Sequence, residues 1–224
     1  MSIGDAEIKT QERVIRFFKD PEILGYQYIG NLSDYQNKNI KEDRLRQYLR
    51  LKGYADKLVD AAVMQLQQEA GNLSRGVYDA NKTVYSRLKY GIPVSESPEK
   101  SPVTVELIDE ANPLNNDFAI AEEVTVVEQS EKRPDLVVYL NGIAVAVIEL
   151  KRSGVSVSEG IRQNIRNQQD GYIPRFFTTI QLLFAGNDTE GLHYGVIKTP
   201  EKFWLRWKEP CGEPCKPSRF TAEE

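Results

Sequence analysis

Between Leu136 and Leu150 the sequence runs Leu-Val-Val-Tyr-Leu, then Asn141-Gly142, then Ile-Ala-Val-Ala-Val-Ile-Glu-Leu. Asn-Gly between two apolar, β-branched runs is the strongest short-range signal for a β-hairpin. The second run, Ile143 to Leu150, reads as a strand buried on both faces. At the open end of this hairpin stand three ionisable residues: Asp135 before the first strand, Glu149 and Lys151 at the end of the second. A carboxylate inside such a run is costly unless something pairs with it.

Register decides whether the three groups can work together. Glu149 and Lys151, two residues apart on a strand, share a face. With Asn141-Gly142 as a plain two-residue turn, Asp135 falls opposite Ile148 and points to the other face. With a three-residue loop from Leu140 to Gly142, Gly142 being left-handed in a G1 bulge, Asp135 falls opposite Val147 and joins them. The sequence therefore predicts that loop or an equivalent bulge.

Around the hairpin the pattern is helical before residue 95 and strand-rich after it. Ile8, Val14, Ile15, Phe17 and Phe18 predict a first helix that Asp20-Pro21 stops. Leu24 to Gly30 reads as a strand. Further helices are expected from about Ile40 to Gly53, around Leu58 to Gly71-Asn72, and over 77–90, before Gly91-Ile92-Pro93. Ser95 to Pro102 is a polar, proline-rich loop. Strands follow over 103–108, 118–127, 136–140, 143–150 and 178–185, with a helix over 156–170 and a short closing helix carrying Phe203, Trp204 and Trp207. The expected class is α/β or α+β: a mixed central sheet flanked by helices, with an N-terminal helical portion. The expected divisions are 1–95 (helical portion packed on the core), 96–208 (core) and 209–224 (tail or linker).

Composition removes several classes of function. No apolar run approaches the roughly 18–20 residues that cross a bilayer, and the first 20 residues hold charges throughout, so a cytoplasmic protein without a membrane partner is expected. Cys211 and Cys215 are the only cysteines and His193 the only histidine, which argues against a disulfide scaffold and structural zinc. We assign His193 no catalytic role. A net charge of −4 argues against nucleic-acid binding by bulk electrostatics alone.

Two carboxylates and a lysine match what phosphodiester hydrolysis needs. Mg²⁺ takes a few carboxylate oxygens and keeps several waters, so Asp135 and Glu149 are candidate metal ligands, with the Leu150 backbone carbonyl as a third. Lys151 is placed to orient a water or stabilise developing charge. Lys132, Arg133, Arg152, Arg162, Arg166 and Arg175 are candidates to line a DNA path.

Pro134-Asp135 followed by Glu149-Leu150-Lys151 resembles the PD-(D/E)xK nuclease signature. Together with Leu24-Gly25-Tyr26, Ala80-Asn81-Lys82, Arg87 to Gly91, Asn116-Asp117-Phe118, Ile173 to Phe177 and Phe203 to Trp207, it resembles the N-terminal nuclease domain of the R subunit of type I restriction-modification enzymes, from about Glu12 to Lys208. The resemblance implies an α/β fold with a restriction-endonuclease-like core, and Mg²⁺-dependent cleavage of double-stranded DNA after ATP-driven translocation. ATP would be bound outside this chain, because Gly25-x4-Gly30 is followed by Asn31 rather than the Lys-Ser/Thr of a P-loop. It implies as partners a motor domain of the same polypeptide and the methylation and specificity subunits. It also implies a Gln-x-x-x-Tyr motif on the helix after Lys151. Gln163 matches the glutamine as a supporting catalytic residue, but Asn167 stands four residues on, while Gln168 and Tyr172 have the spacing five residues later. In the superfamily an acid from a helix often completes the metal site; Glu12 is the best match and Glu42 the next.

Two other readings stay open: a non-catalytic nuclease-like docking module, and a repair or junction nuclease of the same superfamily.

Overall fold

In a computed structural model of the chain, described for residues 3–95, 97 and 99–208, five helices surround a seven-stranded mixed sheet. Helices α1 (Ile3–Lys19), α2 (Glu42–Leu51), α3 (Asp56–Gly71) and α4 (Val77–Tyr90) precede the strand-rich part, with strand β1 (Gln27–Asn31) between the first two. Two small hairpins, β2 (Ile92–Val94) with β3 (Val103–Val105) and β5 (Val126–Val127) with β6 (Glu131–Lys132), lie outside the main sheet. Strand β4 (Phe118–Glu122) precedes the second of them. After it come β7 (Leu136–Leu140), β8 (Ile143–Leu150), α5 (Val157–Asn167), β9 (Leu182–Asn187), β10 (Gly191–Gly195) and β11 (Leu205–Arg206). The sheet order is β1-β4-β7-β8-β9-β10-β11, with β1–β4 and β8–β9 parallel and the remaining pairs antiparallel. β1, from within the helical first part, thus forms an edge of the central sheet. The 209–224 tail, with Cys211 and Cys215, lies outside the described residues.

The apolar residues divide by strand parity into two faces. Val137, Tyr139, Val147, Leu183 and Ala185 join Val157 and Ile161 of α5 in one cluster. Val138, Ala146, Ile148 and Phe184 join Val14, Ile15 and Phe18 of α1 in another. A third cluster gathers α2, α3 and α4 round Ile40 and Ile143, at the turn end of the β7–β8 hairpin. No described helix is long and apolar enough to cross a membrane.

Several expectations are corrected: the strand expected over 118–127 is broken after Glu122, with Val126–Val127 in a separate hairpin, and the one expected over 103–108 ends at Val105. Thr178 to Gln181 is not strand: Phe176–Thr178 is a turn of 3₁₀ helix, and β9 begins at Leu182. The Asn81 amide donates to the carbonyls of Thr178 (3.1 Å) and Ile180 (2.7 Å), giving these buried β-branched residues partners other than a ladder. The closing helix is a 3₁₀ turn, Glu201–Phe203, after which β11 pairs with β10 and the Trp207 N–H donates to the Leu192 carbonyl (2.7 Å). An open sheet edge satisfied the backbone better than a short helix would.

Candidate active site

The hairpin meets the parity requirement by the second route. Asn141 (φ 52°) and Gly142 (φ 81°) both take the left-handed conformation of a two-residue turn. A Cβ on Gly142 would lie 2.7 Å from the Lys41 carbonyl and 2.8 Å from the Leu45 nitrogen, so α2 holds the turn tight. The extra residue appears inside β8: Val138 pairs with Ala146 but Tyr139 with Ala144, leaving Val145 bulged. Its carbonyl accepts from the Gln181 N–H (2.8 Å). Beyond the bulge Leu136 pairs with Ile148, and one further step sets Asp135 opposite Glu149, on the same face.

The side chains converge accordingly. Lys151 Nζ lies 4.0 Å from Asp135 Oδ2 and 4.0 Å from Glu149 Oε2, and donates to the Leu150 carbonyl at 3.0 Å. Asp135 Oδ2 in turn accepts from the Leu150 N–H (2.6 Å). Gln163 reaches down from α5, its Nε2 donating to Glu149 Oε2 at 2.6 Å. Ser156 caps the start of α5, its hydroxyl accepting from the Ser158 N–H, while Glu190 Oε1 accepts from Val157 N (2.9 Å). Gly160 permits its close approach: a Cβ there would stand 3.2 Å from Ala185 Cβ and 3.5 Å from Glu149 Cβ.

Glu149 is wholly buried, whereas Asp135 and Lys151 keep a small opening to solvent. Burial pushes the Glu149 carboxyl well above the usual range; the Asp135 charge adds to this, Lys151 opposes it, and Glu123 adds a smaller upward push. Glu149 Oε1 has no hydrogen-bond partner among the described residues. An orphaned buried carboxylate oxygen beside a second carboxylate and a backbone carbonyl is an all-oxygen donor set of the kind hard divalent cations take. Asp135, Glu149 and the Leu150 carbonyl thus fit Mg²⁺. Among the described residues no three His, Cys, Asp or Glu side chains gather as a metal cluster, so the carbonyl is needed.

Other expected residues fall elsewhere. Glu12 is exposed, on the helix that covers the opposite sheet face. Its neighbour Gln11 is buried and donates to Glu122 Oε2 (2.9 Å) and Glu123 Oε1 (3.3 Å). Glu42 opens α2 near the turn end, accepting from Arg46 (2.7 Å) and Gln67 (2.8 Å). Asn167 is buried, with neither amide atom partnered among the described residues. Gln168 is held by Lys198 N (2.8 Å) and Asn164 O (3.0 Å), and the Tyr172 ring lies 5.2 Å from Lys132 Nζ. Of the candidate DNA-path cations, Arg133 is ion-paired with Glu123 (2.8 Å) and Arg162 with Glu201 (2.9 Å).

Sequence reasoning missed Glu123 and Gly160. Glu123 follows β4 in the left-handed region (φ 51°), and its N–H donates to the Asp135 carbonyl (2.8 Å). Its only signal was a Glu-Glu pair ending an apolar strand. The signal for Gly160 was a glycine inside a helix, which costs about 1 kcal/mol against alanine unless packing demands it.

A family model described as "Type I restriction enzyme R protein N terminus" matches residues 7–202. Similar curated proteins include the putative type I restriction enzyme MjaIXP endonuclease subunit of Methanocaldococcus jannaschii, 31% identical over 134 residues. The type I restriction enzyme SauMSSORF170P endonuclease subunit of Staphylococcus aureus (strain MSSA476) is 26% identical over 111 residues. The matches cover 56% and 47% of this chain and 12% of each relative, so the chain matches only a small fraction of their length.

Proposed function

The chain belongs to the family of type I restriction enzyme R protein N termini, and on that footing we propose that it is the Mg²⁺-dependent endonuclease module of such a subunit, with a PD-(D/E)xK site. It cleaves double-stranded DNA after ATP-driven translocation by a motor outside this chain, and works in the cytoplasm with methylation and specificity subunits. The observation that supports this most is the β8 bulge, which sets Asp135, Glu149 and Lys151 on one face with the lysine ammonium equidistant from both carboxylates.

In this reading Asp135, Glu149 and the Leu150 carbonyl hold the ion. When bound, Mg²⁺ offsets charge building on the phosphate and acidifies a water. Lys151, tethered to the Leu150 carbonyl, presents its ammonium between the carboxylates, where it orients the attacking water and stabilises the phosphate oxygens. Gln163 holds Glu149 Oε2, fixing that carboxylate's rotamer. Water adds to phosphorus, one P–O ester bond breaks, and the leaving oxygen takes up a proton.

The test is DNA cleavage and ATP hydrolysis by the complete subunit. Asp135→Ala or Lys151→Ala abolishes cleavage and leaves ATP hydrolysis intact; joint loss of both sinks the assignment. Calorimetric titration of this chain with Mn²⁺, beside Asp135→Asn and Glu149→Gln, tests the site without the motor.

A further inference from the structure

The face of the sheet opposite the candidate site is thinly covered. Its apolar cluster draws helical residues from α1 alone, yet β8 and β9 are a parallel pair, and parallel strands are ordinarily covered on both faces. Between α1 and the β9–β11 edge runs an open groove of about 1,090 Å³. Phe17 (50% exposed), Leu24 (40%), Leu182 (41%) and Trp207 (51%) stand half bare along it, with Phe184 and Ile148 on its floor. Its volume is at the upper end for small-molecule sites, but its walls are apolar with few convergent polar groups, which suits the apolar face of a helix.

Two features indicate the occupant. Trp207 is hydrogen-bonded to the β10 backbone at the groove's lip, so the polypeptide after Lys208 starts within one residue of it. Tethering there gives a following segment a high effective concentration. Arg206 also lines the groove, and its guanidinium has no ion pair among the described residues. Residues 209–224 contain three prolines and Phe220 as their only large apolar side chain, too little to cover such a surface.

We propose that the groove is the docking site for an amphipathic helix belonging to the polypeptide that follows this chain in the complete endonuclease subunit, apolar along the face it buries and carrying an acidic side chain against Arg206. This rests on the reading that the chain is the N-terminal part of a longer subunit, as in relatives of which it covers 12%.

The experiment measures the intact mass of the complete gene product, then compares its hydrogen exchange over residues 14–24 and 182–192 with that of the 224-residue chain. The expected result is a far longer product in which both segments exchange at least tenfold more slowly. Leu182→Asp restores the faster rate in the complete product and leaves the melting temperature of the isolated chain unchanged. A gene product of 224 residues overturns the longer-subunit reading itself. A long product with unchanged exchange overturns the docking site and leaves the nuclease reading standing. A concentration-dependent dimer of the isolated chain, abolished by Leu182→Asp, gives the groove to a second copy and overturns the proposal as well.

Discussion

Gln163 Nε2 lies 2.6 Å from Glu149 Oε2, joining α5 to the buried carboxylate fourteen residues earlier in the chain. The contact satisfies one oxygen of Glu149, while the other has no hydrogen-bond partner among the described residues. One amide therefore sets which oxygen is available.

If that is its role, Gln163→Ala weakens Mn²⁺ binding by about 10–100-fold, the range for losing a group that orients a metal ligand. Calorimetry on the folded variant reads the affinity; wild-type affinity in Gln163→Ala means the contact is only structural.

A raised carboxyl pKa in the folded state means that the Glu149 carboxyl favours folding while protonated. Its contribution is full below the unfolded value of about 4.3 and is lost as pH climbs toward the higher folded value. In EDTA, Glu149→Gln should therefore melt higher than wild type at pH 8, by about 2–4 °C for each kcal/mol relieved. The difference should shrink toward pH 4. Equal melting curves at both pH values would show that burial does not strain this carboxylate.

Gly160 lets α5 lie against β8 and β9, with Ala185 Cβ 3.2 Å from the position its own Cβ would take. Gly160→Leu has no room there, so overpacking should cost about 1–3 kcal/mol and lift Gln163 off Glu149. Denaturant unfolding should show the loss, and Mn²⁺ affinity should fall as in Gln163→Ala. Retained stability together with retained affinity would refute the close packing.

Asn141 is fully buried at φ 52° and uses all its polarity: Nδ2 donates to Leu107 O (2.8 Å) and Asn116 Oδ1 (2.8 Å), and Oδ1 accepts from Asp117 N (2.7 Å). Asn141→Leu takes the side-chain partner from the Leu107 carbonyl and the Asp117 N–H, leaves Asn116 Oδ1 to its other donors, Asp109 N and the Tyr48 hydroxyl, and forces a γ-branched residue into the left-handed region. A loss of about 3–5 kcal/mol in urea unfolding is expected. A loss under 1 kcal/mol for Asn141→Leu would contradict this account.

Local chemistry determined much of this protein. Asn141-Gly142 and the runs beside it are matched residue for residue by β7 and β8, and Gly71 and Gly91 mark the ends of α3 and α4. The alternation of strand side chains already required one extra residue for Asp135, Glu149 and Lys151 to meet. Where that residue goes is not a local matter. Any position along the hairpin restores the parity, and the choice of Val145 depends on α2 crowding Gly142 and on Gln181 supplying a donor to the bulged carbonyl. The same holds for α1, whose periodicity defines an apolar stripe but not its rotation on the sheet, one residue of which exchanges Glu12 for Gln11. Thr178 to Ile180 carries strand-forming side chains, yet Asn81, almost a hundred residues earlier, holds its carbonyls. Pattern and turn chemistry act within a few residues and can be read along the chain. Bulge position, helix rotation and the partners of buried carbonyls depend on which distant groups arrive, and those only the packed molecule supplies.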